Sequence, residues 1–322
     1  MKSKILVTGS TGQIGSELTP LLRERYGTTQ VVAGVHNPEH ARVLGEGPRE
    51  VFDVADRSAL ERVIKKHGID TVYHLGAILS AVGEKDPNLA WKVNMDGLKN
   101  VLDASVASNV RRVFWPSSIA VYGPDAPRSK APQSAPLNPT TMYGVTKVAG
   151  ELLCNYYFLK FGLDTRILRY PGLISSKTPP GGGTTDYAVA IFYAALKKEV
   201  YSCFVREDTV LPMMYMPDAL EGTVALMEAD SSKVPRHLGY NLAAISFSAG
   251  ELASEIRKHV PGFKCVFKPD SRQKIADSWP MSIDDSEARR DWGWSHKYDL
   301  GRMTKDMMEQ LGPVLGETQK SG

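Results

Sequence analysis

Short apolar runs and segments of helical period alternate through the first half of the chain. Between the apolar runs, hydrophobic residues return at three- and four-residue steps, as in 14–22, and predict helices. Ser58 and Glu61 have the spacing of a capping box, which predicts where one of these helices begins. Strands that alternate with helices indicate a parallel sheet covered on both faces, and apolar strands fit such burial. The runs that predict strands are 5–7, 30–35, 50–54, 71–75, 112–115 and 164–170.

The pattern changes after about residue 174. Residues 179–183 are prolines and glycines and predict a loop. The helices predicted beyond it, such as one over 249–259, no longer alternate regularly with strands. We therefore predict the α/β class, with a Rossmann-type doubly wound parallel sheet and a smaller C-terminal substrate-binding lobe. The Rossmann domain is expected over 1–174 and the lobe over 175–322, with segments near 210–218 and 238–246 returning to the Rossmann domain.

Composition and charge exclude several classes of protein. Of the 322 residues, 42% are hydrophobic and 23% are charged, which is typical of a globular chain. Lys plus Arg number 39 against 36 for Asp plus Glu, so the basic excess of a nucleic-acid binder is missing. No apolar run approaches the roughly 18 residues that span a bilayer, and Gly9 and Ser10 interrupt the first run too early for a signal peptide. The cysteines predict neither a disulfide framework nor a zinc site: they are Cys154, Cys203 and Cys265. We expect a cytoplasmic protein without nucleic-acid, membrane or metal partners.

Three glycines, Gly9, Gly12 and Gly15, lie between the first predicted strand and the first predicted helix. Glycines at this place permit a tight turn and a close approach of the backbone to a pyrophosphate, and the helix that follows presents free N–H groups to the phosphates. The spacing is GxxGxxG rather than the more common GxGxxG, and turn or packing glycines would give the same spacing. Their place between strand and helix favours a dinucleotide-binding loop.

The acidic residue that usually follows the second strand and holds the adenosine ribose is missing. Here the strand ends in His36 and Asn37, the first acid is Glu39, and the nearest arginine is Arg42. Asp53, at the end of the third strand, is the candidate for a hydrogen bond to adenine, although an acid before a helix is as often a simple turn residue. We therefore expect use of NAD with weak discrimination against NADP.

Tyr143 and Lys147 are one turn apart in a predicted helix over 143–160, so their side chains share a face. A tyrosine with a pKa near ~10 is a poor base, but a neighbouring ammonium favours the phenolate and lowers that pKa. Ser118 follows the fifth strand and is placed to hydrogen-bond a substrate oxygen. A YxxxK spacing alone occurs by chance in many helices, and its combination with the glycine loop and the serine favours proton removal from an alcohol.

These motifs together resemble the extended short-chain dehydrogenase/reductase superfamily, whose members are Rossmann enzymes related to nucleotide-sugar epimerases. The resemblance covers nearly the whole chain, and the less common segments within it are similar to short-chain-type L-threonine 3-dehydrogenases. It implies oxidation of the L-threonine 3-hydroxyl by NAD to 2-amino-3-oxobutyrate, in the breakdown of threonine to glycine or aminoacetone, without a metal. The segments that carry the closer similarity are 77–84, 139–147, 169–172, 181–187, 211–216 and 276–280.

Motifs and resemblance together assign roles to individual positions. The predicted catalytic residues are Tyr143, Lys147 and Ser118. The predicted cofactor-binding residues are Gly9, Thr11, Gly12, Gln13, Ile14, Asp53, Val54, Leu75, Gly76, Ala77, Tyr143, Lys147, Tyr170 and Leu173. The resemblance implies that the substrate is held by Ser80, Ser118, Tyr143, Thr184, Thr185 and Trp279, with the tryptophan closing over it from the second lobe.

Two other functions are compatible with the same fold. A regulatory protein that binds a dinucleotide without turnover has no need for Tyr143 and Lys147 one turn apart. A nucleotide-sugar epimerase or dehydratase shares the serine, tyrosine and lysine, but its second lobe must hold a diphosphate. The basic residues available for that task form no evident cluster in the sequence: Arg206, Arg236, Lys264 and Arg272.

The resemblance also implies a homodimer. Helices near 98–109 and 143–160 would pack with those of a second copy. Apolar surface for this contact is expected from Tyr156, Tyr157, Leu159 and Phe161.

Overall fold

The structure, a computed structural model, describes residues 3–318, and strands alternate with helices through most of the first half of this range. The strands are β1 (Ile5–Thr8), β2 (Val31–Val35), β3 (Arg49–Val51), β4 (Thr71–His74), β5 (Arg112–Ser118), β6 (Asp164–Tyr170), β7 (Gly172–Ile174), β8 (Tyr201–Cys203), β9 (Val210–Tyr215), β10 (Tyr240–Asn241), β11 (Ile245–Ser248) and β12 (Cys265–Phe267). The α-helices are α1 (Gly15–Tyr26), α2 (Arg57–His67), α3 (Ser80–Lys85), α4 (Pro87–Trp91), α5 (Gly97–Ala107), α6 (Met142–Phe161), α7 (Tyr187–Leu196), α8 (Met216–Glu228), α9 (Ala249–His259), α10 (Arg272–Asp277), α11 (Ser286–Trp292) and α12 (Leu300–Thr318).

Seven parallel strands form the central sheet, in the order β10-β6-β5-β4-β1-β2-β3. In register, Ile5 of β1 aligns with Val31 of β2 on one side and with Thr71 of β4 on the other. Every residue of these three strands is buried, because helices cover both faces of the sheet. The predicted Rossmann-type α/β fold is confirmed.

Successive residues of β1 point into two different cores. Ile5 packs with Leu18 of α1 and with residues of α8 on one face. Leu6 packs with Leu60 of α2 and Leu102 of α5 on the other face. The alternation follows from the two-residue period of a strand, and it explains why no polar residue interrupts this run.

Two smaller sheets belong to the second half of the chain. One has the order β11-β9-β7, and the other pairs β12 with β8. Of the two segments expected to return to the Rossmann domain, 238–246 contributes β10, which pairs with β6, whereas 210–218 contributes β9, which pairs with β7 and β11. The division of the chain near residue 174 stays a proposal.

Three local predictions are wrong. β3 ends at Val51, so Asp53 lies beyond the strand predicted over 50–54. β5 continues through Ser118, so this serine ends the strand rather than following it. α2 begins at Arg57 because the Asp56 side chain caps it by accepting the N–H of Ala59 at 3.0 Å. The capping box predicted from Ser58 is therefore not the start of this helix. The predicted bounds of the helix over 249–259 are confirmed.

Every helix within the described residues 3–318 is too short or too polar to cross a membrane. The cytoplasmic location stays a prediction from the sequence.

Candidate active site

The glycine loop lies where the order of the central sheet reverses, between the carboxyl ends of β1 and β4. Crevices at such points hold ligands in open α/β sheets. Gly9 has a φ of +66°, and a Cβ there would lie 2.5 Å from the backbone nitrogen of Gly76, which follows β4. A Cβ on Gly15 would lie 2.2 Å from the carbonyl oxygen of Gly9. Both positions therefore require glycine, since the two loops and α1 pack directly against one another.

Gly12 differs from these two because the space beside it is open. A Cβ there would have one neighbour within 4 Å, the Gly9 carbonyl oxygen at 3.3 Å. Within the described part of the chain, the N–H groups of Gln13 and Ile14 donate to no protein acceptor, and no side chain caps α1. Free N–H groups at the amino end of a helix attract a negative pyrophosphate. The loop therefore fits the phosphates of NAD, which Gly12, Gln13 and Ile14 would hold.

At the predicted adenosine end, the side chains of two turn residues accept hydrogen bonds from nearby backbone N–H groups. The Asn37 side chain accepts the N–H of Glu39 at 3.0 Å, and Asp53 accepts the N–H of Ala55 at 2.9 Å. β3 ends at Val51, so Asp53 lies in the turn before α2, where its side chain is exposed. A contact of Asp53 with adenine stays a prediction, as does weak discrimination against NADP.

The three predicted catalytic groups lie together over the carboxyl end of β5. The ammonium of Lys147 donates to the Pro116 carbonyl at 2.6 Å, and it lies 4.3 Å from the centre of the Trp115 ring and 5.4 Å from that of the Tyr143 ring. Ser118 ends the same strand, where its hydroxyl accepts the N–H of Ala120 at 3.1 Å and acts to lower the pKa of the nearby Tyr143 phenol. A hydroxyl, a phenol and an ammonium thus share one site, as proton removal from an alcohol requires.

Burial opposes both of the charges on which proton removal depends. It raises the pKa of Tyr143 to about 12, although the Ser118 hydroxyl acts in the opposite direction. It lowers the pKa of Lys147 to about 7, against opposite effects of Cys154 and Glu151. The prediction of a lowered tyrosine pKa is therefore wrong for this structure, because the desolvation of a buried phenolate decides the direction. A phenolate and an ammonium formed together would still stabilise each other here.

The predicted catalytic groups face a cleft of about 140 Å³ at the carboxyl edge of the central sheet. The predicted site residues that line it are Gln13, Ile14, Leu75, Ala77, Ser80, Ser118, Tyr143, Lys147, Tyr170, Leu173, Thr184, Thr185 and Trp279. The predicted cofactor residues outside this lining lie in the loops after β1, β3 and β4: Gly9, Thr11, Gly12, Asp53, Val54 and Gly76. A dinucleotide bound along the glycine loop would place its nicotinamide end in the cleft.

The cleft also contains residues that the sequence did not single out. Among them is Asp186, one of whose carboxylate oxygens accepts the N–H groups of Gly181, Gly182 and Gly183 at 2.7, 2.7 and 2.8 Å. The glycine run is thus wrapped around a carboxylate. The signal available in the sequence was an acid close behind three glycines. The other lining residues that were missed are Leu79, Pro116, Ser117, Ile119, Pro171, Gly172 and Gly183.

Two predicted substrate residues stand out by their surroundings. Trp279, from the second half of the chain, lines the cleft. The backbone carbonyls of Trp279 and Asp277 accept hydrogen bonds from the Arg128 guanidinium. The Thr184 hydroxyl is buried and has no partner among residues 3–318. A buried hydroxyl without a partner is costly, so this group is suited to a ligand that supplies one.

His74 is buried at the end of β4. Its Nδ1 hydrogen-bonds with the Thr8 hydroxyl at 2.7 Å, whereas Nε2 has no partner among the described residues. Burial, together with the charge of Lys147, lowers the pKa of His74 to about 3. The ring is therefore neutral at physiological pH and is not a proton donor for the site.

Comparisons with known proteins agree with this geometry. The model of the NAD dependent epimerase/dehydratase family matches residues 5–243. An uncharacterized epimerase/dehydratase of Staphylococcus haemolyticus is 48% identical over 310 residues, which are 96% of this chain and 97% of that relative. The GalE-like L-threonine dehydrogenase of Cupriavidus necator, in its holo form, is 50% identical with a TM-score of 0.92, covering 96% of this chain and 99% of that chain. A monomeric L-threonine 3-dehydrogenase from a metagenome, in its apo form, is 49% identical with a TM-score of 0.92, covering 97% and 99%.

Proposed function

The chain belongs to the NAD-dependent epimerase/dehydratase family, with NAD as its cofactor, and we propose that it oxidises the 3-hydroxyl of L-threonine to give 2-amino-3-oxobutyrate. The observation that carries the proposal is the chemistry of the cleft lining. Among the described residues, the charged groups in that lining are Lys147 and Asp186, and the other polar groups are mainly hydroxyls. A small zwitterion with a hydroxyl group matches such a site. The hydroxyls expected to hold it belong to Ser80, Ser118, Thr184 and Thr185.

In the proposed reaction, the O–H and C3–H bonds of the substrate break and a C=O bond forms. Tyr143 takes the proton of the hydroxyl. Ser118, which lines the cleft with Tyr143, aligns the substrate oxygen with the phenol. Lys147, fixed by the Pro116 carbonyl at 2.6 Å, supplies the positive charge that favours the phenolate. When bound, NAD supplies the acceptor for the hydride that leaves C3. Trp279, from the second half of the chain, excludes water from the closed site.

Thr185→Val tests the substrate pocket, because valine keeps the shape of threonine and removes its hydroxyl. A Cβ on Gly172 would lie 2.8 Å from the Thr185 methyl, and valine retains that packing. The KM for L-threonine should rise about tenfold or more, since a hydrogen bond to a charged group contributes about 1.5–3 kcal/mol. The Kd of NAD should change little. Steady-state kinetics and equilibrium NAD binding measure the two constants. Thr185→Ser restores a hydroxyl and is the control; a parent-like KM in the valine variant would place the substrate elsewhere.

The name of the Staphylococcus relative, an uncharacterized epimerase/dehydratase, favours an epimerase or dehydratase as the second candidate, and a nucleotide sugar is the substrate considered for it. Such an enzyme must hold a diphosphate, for which arginine is well suited. Among residues 3–318, no arginine lines the cleft. The arginines considered for this task pair with acids instead: Arg206 with Asp277, Arg236 with Glu287, and Arg272 with Asp270. These contacts support threonine rather than a nucleotide sugar as the substrate.

We further propose that two copies associate through α5 and α6. The outer face of α6 exposes Leu152, Tyr156, Leu159 and Phe161 by 58, 52, 72 and 49%. The expectation that Tyr157 adds to this surface is wrong, because its ring is buried and its hydroxyl hydrogen-bonds to Asp103. Four large hydrophobic side chains exposed on one face of a helix support association with a second copy.

Leu152→Glu combined with Leu159→Glu should convert the proposed dimer to a monomer. Two carboxylates without partners would have to be buried in an apolar contact, which is costly. Light scattering at micromolar concentration measures the mass. Val200→Glu, at a position that is 60% exposed and outside α6, is the control and should leave the mass unchanged. A parent protein that is monomeric at this concentration would contradict the proposal.

A further inference from the structure

A short turn, residues 175–178, connects β7 to the loop that carries the predicted substrate hydroxyls. We refer to residues 179–186, which include Thr184 and Thr185, as the substrate loop. The turn lies against the first turn of α1, the helix whose free N–H groups fit the phosphates of NAD. It therefore contacts the dinucleotide site on one side and continues into the substrate site on the other.

Ser175 is the centre of this turn. Its side chain is fully buried, and its hydroxyl accepts the N–H groups of Lys177 and Thr178, each at 3.0 Å. The same hydroxyl donates to a carboxylate oxygen of Glu17, in the first turn of α1. Both the shape of the turn and its attachment to α1 thus depend on one hydroxyl group.

Glu17 is an unusual residue for this position, because only 9% of it is exposed. Burial raises its pKa, with Ser175 and Lys177 acting in the opposite direction. Burying a carboxylate is costly, and an apolar side chain would pack α1 against the turn without that cost. What the carboxylate adds is a directional bond that fixes where Ser175 lies relative to α1.

A second contact reaches the glycine loop itself. The Thr178 hydroxyl donates to the carbonyl oxygen of Gln13 at 3.4 Å and lies 3.4 Å from the hydroxyl of Ser16. Gln13 is one of the residues whose free N–H groups face the predicted phosphate site. The peptide groups around Gln13 therefore face the predicted phosphates on one side and the 175–178 turn on the other.

The far end of the substrate loop is held in the same manner. Asp186 accepts the N–H groups of residues 181–183, so the loop is closed on itself just before α7. Two carboxylates thus hold the turn and the loop: Glu17 holds the turn at Ser175, and Asp186 holds the loop at residues 181–183. Movement of α1 would be passed on to the loop through Ser175.

We propose that Glu17 is a positioning residue that couples occupancy of the dinucleotide site to the placement of the substrate loop. A dinucleotide held by the N–H groups of Gln13 and Ile14 would order the first turn of α1, and Glu17 would then order Ser175 and the loop that follows. The loop is assigned to the substrate by the proposed function, but the coupling itself requires only that NAD binds at the glycine loop.

Hydrogen exchange of the backbone amides of residues 175–186, with and without saturating NAD, tests the coupling. In the parent protein, NAD should slow this exchange about fivefold or more, which is the lower end of typical coupling between sites. In Glu17→Ala the slowing should fall below about twofold, since the bond to Ser175 is lost. Glu17→Gln keeps an oxygen that accepts the Ser175 hydroxyl, so it should restore most of the slowing. Glu24→Ala removes an exposed carboxylate from the same helix and should behave as the parent.

Parent-like slowing in Glu17→Ala would overturn the proposal, and so would an equal loss of slowing in Glu24→Ala. No slowing by NAD in the parent would overturn it as well. If Glu17→Ala does not fold, Glu17→Met, which fills the buried space but cannot accept the Ser175 hydroxyl, carries the same expectation. The experiment contains no threonine, so a wrong substrate assignment would leave its result unchanged.

Discussion

Tyr143→Phe is expected to lower turnover about a hundredfold or more while the Kd of NAD changes little. Phenylalanine keeps the ring and its packing, but it cannot take the proton of the substrate hydroxyl, and general-base catalysis contributes about 10²–10⁴-fold. The rate of nicotinamide reduction at saturating L-threonine measures the first effect, and equilibrium binding of NAD measures the second.

Tyr156→Phe is the matched control for this experiment. Tyr156 lies on the same helix with 52% of its surface exposed, so loss of its hydroxyl should leave turnover unchanged. Near-normal turnover in Tyr143→Phe would falsify the assignment of the base. A comparable loss in both variants would mean that the effect comes from the helix rather than from the phenol.

Lys147→Met should lower turnover about a hundredfold and yet stabilise the folded protein at neutral pH. Methionine has a similar length but no charge, so nothing favours the phenolate during proton transfer. The folded state gains because a buried ammonium, held by the Pro116 carbonyl and the Trp115 ring, no longer has to be desolvated. Stabilisation at the expense of activity is the usual result of removing strain from an active site.

The gain in stability should depend on pH in one direction. The pKa of Lys147 is about 7 in the folded protein and has an ordinary value of 10.5, so between these two pH values the unfolded chain binds more protons. The free energy of unfolding of the parent therefore rises with pH across this window. The advantage of Lys147→Met should be largest below about pH 7 and shrink toward pH 10. Denaturant unfolding at several pH values measures it.

Lys160→Met, which removes an exposed lysine from the same helix, is the control for this series. It should show no such trend with pH. A difference between Lys147→Met and the parent that is constant from pH 6 to pH 10 would contradict the picture of a lysine whose charge is opposed by burial.

The sheet could be predicted because burial on both faces leaves its strands almost wholly apolar. The limits of the strands are set by backbone hydrogen bonds, which hydrophobicity does not report. β5 shows this: Ser117 and Ser118 are polar, yet they extend the strand by pairing with Arg169 and Tyr170 of β6. The same is true of α2, whose start is decided by the Asp56 side chain rather than by the spacing of later residues.

The proximity of Tyr143 and Lys147 could be predicted because they lie one turn apart on a single helix. The role proposed for Glu17 could not be predicted from the sequence, since its hydrogen-bond partner, Ser175, is distant in sequence and contacts it only in the folded chain. Asp186 was missed because its partners are backbone N–H groups, which any sequence offers. The pKa values of Tyr143 and Lys147 were beyond reach as well, because they depend on the degree of burial rather than on neighbours in the sequence.

The most direct measurement is nicotinamide reduction with L-threonine and NAD, in parallel with an incubation of the protein with UDP-glucose and NAD. A threonine dehydrogenase should form NADH in equimolar amount to the threonine consumed, with 2-amino-3-oxobutyrate recovered as aminoacetone after loss of carbon dioxide, and should leave UDP-glucose unchanged. An epimerase regenerates its NAD in each cycle. Conversion of UDP-glucose without net NADH, and no NADH from L-threonine, would contradict the assignment.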